Sequence, residues 1–193
     1  YVQDKDGSEP RVLLDPNKLS TDGTAFLAGT AVSDDAKYIA YGISKSGSDW
    51  QEWFVKDIAT GEDTKDRLEW IKFSSASWTK DGQGFYYCRY LKPKEEDKYL
   101  AKNLNHEVYY HKLGDEQSKD VLIYKRTDQP EWFFDPYVTN DGKYLILTVV
   151  KGSEATNRLF YKDLSKPDSK VVELLTKNDA KYEFVDNEDK NFI

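Results

Sequence analysis

The chain has 193 residues, a formal net charge of −7 and a pI near 5.0. That is the wrong sign for nucleic acid or an anionic membrane, and no local cluster of Lys and Arg offsets it. No apolar stretch approaches the ~20 residues of a membrane span, no signal peptide is recognised, and 15 % aromatic with 38 % hydrophobic residues fits short two-faced strands better than helices.

In chain order, residues 1–4 read as the third strand of a repeat and residues 11–15 as its outer strand, so that 1–23 would be the end of one blade-like unit. Residues 37–44 and 143–150 are near-continuous apolar runs, expected of inner strands covered on both faces. Residues 108–111 and 159–162 are shorter and mixed, expected nearer an edge. No stretch sustains a 3.6-residue period, so the fold class is expected to be all-β.

Four stretches punctuate these runs: VSDDAKY (32–38), WTKDGQGF (78–85), VTNDGKY (138–144) and VDNEDKNF (185–192). Each is an apolar residue, a polar turn and an aromatic that opens a new apolar run. With Asp35, Asp81, Asp141 and Glu188 as anchors, the spacings are 46, 60 and 47 residues. A period near ~45 residues with short strands marks β-propeller blades of four antiparallel strands. A second anchor, VKDI (55–58), YHKL (110–113) and YKDL (161–164), recurs 22 residues after Asp35 and Asp141 but 31 after Asp81. The excess falls in the charged stretch 89–105. The expected units are blades over 24–72, 73–122 and 132–175, with a further blade beginning at 184–193. Three blades with partial neighbours cannot close a ring, and the chain contains no Met, so a piece of a longer protein is expected.

Catalytic, metal and cofactor motifs are not found. There is no Gly-x-Ser-x-Gly elbow. SWTK (77–80) has Ser-x-x-Lys spacing but spans a strand and a turn, and is read as chance. His106 is expected in a polar loop and His111 facing solvent on a strand; neither has the short paired spacing of a zinc site. Cys88, in an apolar-aromatic run, reads as a small core residue. A lone Cys and the lack of Asn-x-Ser/Thr suit a reducing cytoplasm.

The strings LDPN (14–17), SGSDW (46–50), RLEWIKFSSASWTKDG (67–82), NHEVYYHKLG (105–114) and NRLFYKDL (157–164) together resemble the propeller of the prolyl oligopeptidase family, in one register along nearly the whole chain. In that family a seven-bladed propeller is inserted into an α/β-hydrolase and covers a Ser-Asp-His site that cuts short peptides after proline. The resemblance therefore implies that this chain is about the first half of a propeller, non-catalytic alone. Its implied partners are a hydrolase domain of the same protein and proline-containing peptides, with no cofactor. It further implies peptide contacts from Phe73, from Phe133, where the family often has an apolar residue such as Met, and from Ser153, where some members have Cys. Asp49 matches a position that pairs with an arginine of the hydrolase. Residues 89–105 align with a loop that controls peptide access.

Blander readings stand beside these. Phe73 could simply start an inner strand, and Asp49 could cap a turn. The chain could be a non-catalytic propeller that binds a protein partner. It could also come from a relative that cuts after basic residues, which is disfavoured because Phe73 and Phe133 are apolar.

Overall fold

The computed structural model describes residues 1–20, 22–92 and 103–193. It is all-β, with three four-stranded antiparallel sheets in simple up-and-down order. The first sheet holds β1 (Ala25–Val32), β2 (Tyr38–Lys45), β3 (Gln51–Asp57) and β4 (Asp63–Ile71). The second holds β5 (Ser77–Trp78), β6 (Gly84–Arg89), β7 (Glu107–Lys112) and β8 (Val121–Tyr124). The third holds β9 (Trp132–Val138), β10 (Tyr144–Lys151), β11 (Arg158–Asp163) and β12 (Val172–Leu175). A hairpin of β13 (Asn187–Glu188) and β14 (Asn191–Phe192) follows. The only helical pieces among the described residues are two three-residue 3-10 turns, Pro16–Lys18 and Gln117–Lys119.

The repeat in the sequence is a repeat of hydrogen bonds. Ser33, Thr79 and Thr139 donate a side-chain hydroxyl to Oδ1 of Asp35, Asp81 and Asp141 at 2.7, 2.6 and 2.7 Å. The same Oδ1 atoms accept from the N–H of Lys37, Gln83 and Lys143 at 3.1, 3.0 and 3.0 Å. These bonds hold all three carboxyls below the usual carboxylate range, Asp35 down to about 2. The next residue is left-handed each time: Gly82 at φ 65°, Gly142 at 72° and Ala36 at 56°. Ala36 therefore holds a conformation that glycine adopts without strain. The second anchor repeats as well, since the N–H of Ile58, Leu113 and Leu164 donates to the carbonyl of Lys37, Gln83 and Lys143. The fourth stretch differs. Glu188 pairs with Asn191 inside the hairpin, and the turn is a tighter one with Asp189 at φ 51°.

Cores lie between sheets. Trp53, Val55 and Leu68 of the first sheet pack against Trp78, Phe85, Tyr87 and Tyr109 of the second. From the other face of the second sheet, Tyr86, Cys88 and Val108 pack against Trp132, Phe134, Leu145, Leu147 and Phe160 of the third. A strand between two such layers is apolar on both faces, which explains the unbroken FYYC run of β6. The third strands β7 and β11 are short and lie next to the outer strand, as expected, but β7 is more buried than an edge position implies. In β7, Val108, Tyr109 and His111 are buried, because β8 covers its outer edge and neighbouring sheets cover its faces. At the start of the chain, residues 1–20 form one antiparallel bridge, Val2 to Arg11, and not the expected strand pair. Among the described residues no further strand pairs with this ribbon, and a lone two-stranded ribbon gains little from pairing.

Candidate functional site

Up-and-down topology divides every connection between two ends of the sheets. The Asp turns lie at one end. The β2–β3 loop, the β4–β5 loop, the start of β9 and the β10–β11 loop lie at the other. Asp49, Phe73, Phe133 and Ser153 fall in these four places respectively, so all four residues singled out in the sequence share one end.

Phe73 does not start a strand. It stands in the loop between β4 and β5 with φ 53° and is 51 % exposed. Its ring meets Phe133 edge to face, centroids 5.7 Å apart. The two are equivalent positions, each eight residues before its turn aspartate, Asp81 or Asp141. First strands lie side by side, β1 by β5 and β5 by β9, so equivalent residues of successive sheets become neighbours. Ser75 and Asp135, each six residues before those aspartates, meet in the same way, Ser75 Oγ donating to Asp135 Oδ1 at 2.6 Å.

Phe73, Phe133, Phe134, Thr148 and Val150 wall a cleft of about 670 Å³, completed by Ser74, Ser75, Asn103, Asp135 and Gly152. Ser153 lines an adjoining basin of about 420 Å³ that shares Asn103, Phe133 and Gly152 with the cleft. Asp49 is exposed in the β2–β3 loop. In that loop Ser48 Oγ accepts from Trp50 N–H at 3.1 Å, and Ser48 N–H donates to the Lys45 carbonyl at 3.1 Å. Burial pushes the Lys72 ammonium down, against the pull of the Asp49 carboxylate. The stretch 89–105 connects β6 to β7 at this same end. Its residues 93–102 lie outside the described residues.

Both histidines are buried, contrary to the sequence expectation. His106 is 1 % exposed, packed among Tyr90, Phe133 and Phe134, and its Nδ1 accepts from Phe134 N–H at 3.1 Å. Burial among rings lowers its pKa to about 4, so it is neutral. His111 has no exposed surface either. Its Nε2 lies 2.9 Å from Asp66 Oδ1 and its Nδ1 lies 2.7 Å from Asp120 Oδ1. Burial opposes its charge, but the two carboxylates outweigh that and raise its pKa to about 9. The carboxylates are themselves held. Thr64 Oγ1 and Gly114 N–H donate to Asp66 at 2.5 Å each, and Tyr87 OH donates to Asp120 at 2.6 Å. Asp66 belongs to the first sheet and His111 to the second, so this is an ionic clamp between sheets. The carboxylates bind opposite ring nitrogens, so the three groups do not converge on a point where a metal would sit.

The chemistry on offer at the loop end is binding. His111, toward the turn end, has both nitrogens committed, and His106 is neutral and walled in by rings. Burial pushes the Cys88 thiol up, and its Sγ donates to the Phe134 carbonyl at 3.1 Å, which fits the core role read from the sequence. Three functional partners escaped the sequence reading: Asp66 and Asp120 beside His111, and Asp135. Nothing near His111 signals two distant aspartates. Asp135 was overlooked, although the alternation Phe133, Asp135, Tyr137 along β9 places it on one face with Phe133.

Comparison with known proteins gives a consistent result. A family model described as prolyl oligopeptidase, N-terminal β-propeller domain, matches residues 1–193. Prolyl oligopeptidase A of Galerina marginata is 37 % identical over 207 residues, covering 97 % of this chain and 28 % of that protein. Prolyl endopeptidase of Elizabethkingia meningoseptica is 36 % identical, covering 99 % and 28 %. The solved structure of prolyl oligopeptidase B from Galerina marginata, bound to a 35mer hydrolysis and macrocyclization substrate, superposes with a TM-score of 0.83 at 28 % identity. The match covers 92 % of this chain and 26 % of that one. The chain thus spans about 28 % of the length of the curated relatives it matches.

Proposed function

The chain belongs to the prolyl oligopeptidase family and matches its N-terminal β-propeller domain, and from that premise we propose that it is the peptide-contacting part of a seven-bladed propeller. The blades are 24–72, 73–122 and 132–175, with 1–23 and 184–193 belonging to the blades on either side. The whole protein is a cytosolic serine endopeptidase that cleaves short peptides after proline. Its Ser-Asp-His site lies in an α/β-hydrolase domain that these residues face and do not include. Phe73 and Phe133 supply apolar walls for the bound peptide and Ser153 a polar contact beside them. Asp49 pairs across the domain boundary with an arginine of the hydrolase, and residues 89–105 govern peptide access.

One observation carries this reading. An exposed Phe73 and a half-buried Phe133 from successive sheets touch edge to face at the end where Asp49 and Ser153 also lie. A half-exposed Phe held at φ 53° adds little to the core and offers apolar area to a peptide without demanding a sequence. A relative with the same fold has been solved with a peptide substrate bound, which supports a peptide as the occupant.

The test uses the full-length protein. It should cleave a Gly-Pro reporter peptide and be blocked by a serine-directed inhibitor. Phe73→Ala should lower kcat/KM by an amount equivalent to about 1–3 kcal/mol, the cost of one lost apolar wall. Unchanged kinetics would remove Phe73 from the peptide site.

A further inference from the structure

The cleft beside Phe73 and Phe133 has a chemical character that its aromatic walls alone do not convey. Among the described residues that line it, Asp135 is the one charged group. Asp135 is exposed, and among the described residues it has no ion-pair partner. Other acidic groups nearby are engaged: Glu131 faces Lys151 at 3.9 Å, and Glu154 accepts from the Asn178 amide. Ser75 Oγ, reaching from the preceding sheet, holds Oδ1 of the Asp135 carboxylate, and among the described residues its second oxygen takes no hydrogen bond. Asp135 stands two residues along β9 from Phe133, opposite Thr148, while Phe133 is opposite Val150. The four side chains therefore form one patch, apolar toward the loop end and anionic deeper along the strand.

We infer that Asp135 makes this cleft a subsite for a cationic group of the bound peptide, an ammonium or guanidinium on an apolar stem. The stem lies along Phe133 and Val150, and the head reaches the carboxylate while passing the faces and edges of two aromatic rings. A carboxylate already oriented by a hydrogen bond gives up little freedom when it takes such a partner. The inference rests on the peptide-binding reading above and deepens it. The basic-residue alternative was disfavoured because Phe73 and Phe133 are apolar. Asp135 supplies the missing charge while leaving those walls intact, so a charge preference is added to whatever residue the cut requires.

The experiment measures affinity and turnover of the full-length protein on paired proline peptides that differ only by lysine or norleucine at one position, scanned along the peptide. Each is made with a free and with an acetylated N-terminus. At one position lysine should be favoured about fivefold in Kd and kcat/KM, near the upper end for an exposed charge pair. The preference should fall to about one in Asp135→Asn, which keeps the hydrogen bond from Ser75, and should shrink at high salt. Asp168→Asn, an equal loss of charge at the opposite end, should preserve it. If the Asp135-dependent preference follows the free N-terminus and ignores lysine, the cation is the α-ammonium. Cleavage of proline peptides without any difference between natural protein and Asp135→Asn on any pair would overturn the inference. Charge-dependent binding without cleavage would overturn the peptidase reading and leave this one standing.

Discussion

The two ends of the sheets are built on different principles. At the turn end, three connections repeat the same hydrogen bonds, and neighbouring turns are joined. Lys80 Nζ lies 2.6 Å from Asp34, and Asn187 Nδ2 donates to Asp141 at 2.9 Å. At the loop end, no such hydrogen-bond pattern recurs among the described residues. Four of the six non-glycine residues with positive φ among those described lie there: Ser46, Trp70, Phe73 and Asn105. Regularity at one end gives the fold its register, and strained, exposed residues at the other are where binding is to be sought. If this division is sound, substitutions at the turn end should change stability and substitutions at the loop end should change activity.

The largest effect should come from the clamp that lies toward the turn end. His111→Asn leaves Asp66 and Asp120 buried without their cation, and should destabilise the propeller by about 3–5 kcal/mol in denaturant titration. Its pH dependence has a definite sign. His111 has its pKa raised to about 9, so its contribution is complete below the unfolded value and is lost as pH rises through about 9. Asp66 has its pKa lowered, so its contribution is present above its ordinary value of 3.8 and is lost as pH falls through the depressed one. The natural protein should therefore lose stability on the alkaline side in a way that the Asn variant does not. Identical pH profiles for the two would show that the clamp is not ionic.

Turn backbone comes next. Ala36→Gly should stabilise by about 0.5–1 kcal/mol, because glycine relieves the left-handed strain at φ 56°. Gly82→Ala in the equivalent turn should destabilise by about 1 kcal/mol. If both changes were neutral, the equivalence of the turns would carry no energetic weight.

The smallest stability effect should come from the loop end. Phe73→Ala should lower the free energy of unfolding by less than about 0.5 kcal/mol while lowering kcat/KM, since half of that side chain already faces water. A large loss of stability here would break the comparison, because Phe73 would then belong to the core.

The two histidines show how far the chain can be read without its fold. His111 sits in the run Tyr109-Tyr110-His111-Lys112, and alternation there suggested a solvent face. The reading failed because β7 is covered on both faces, and because the carboxylates that hold His111 stand 45 residues before it and nine after. His106 was read from its polar neighbours Asn105 and Glu107, yet aromatic rings enclose it. The cleft was half legible. Phe73 and Phe133 came from a family resemblance, and the shared face of Phe133 and Asp135 could have come from period-two alternation. The joining of Ser75 to Asp135 could not, since it depends on which strands become neighbours.

By itself the sequence determined the class of fold, the period and the turns. These are local matters: an Asp carboxylate can bond to a hydroxyl and an N–H within two residues on either side, and a left-handed turn needs a residue that tolerates it. Only the tertiary structure decided which polar groups would be buried and what would meet across sheets. Burial and long-range pairing are set by the stacking of successive sheets, which brings residues 45 to 60 positions apart to within hydrogen-bonding distance.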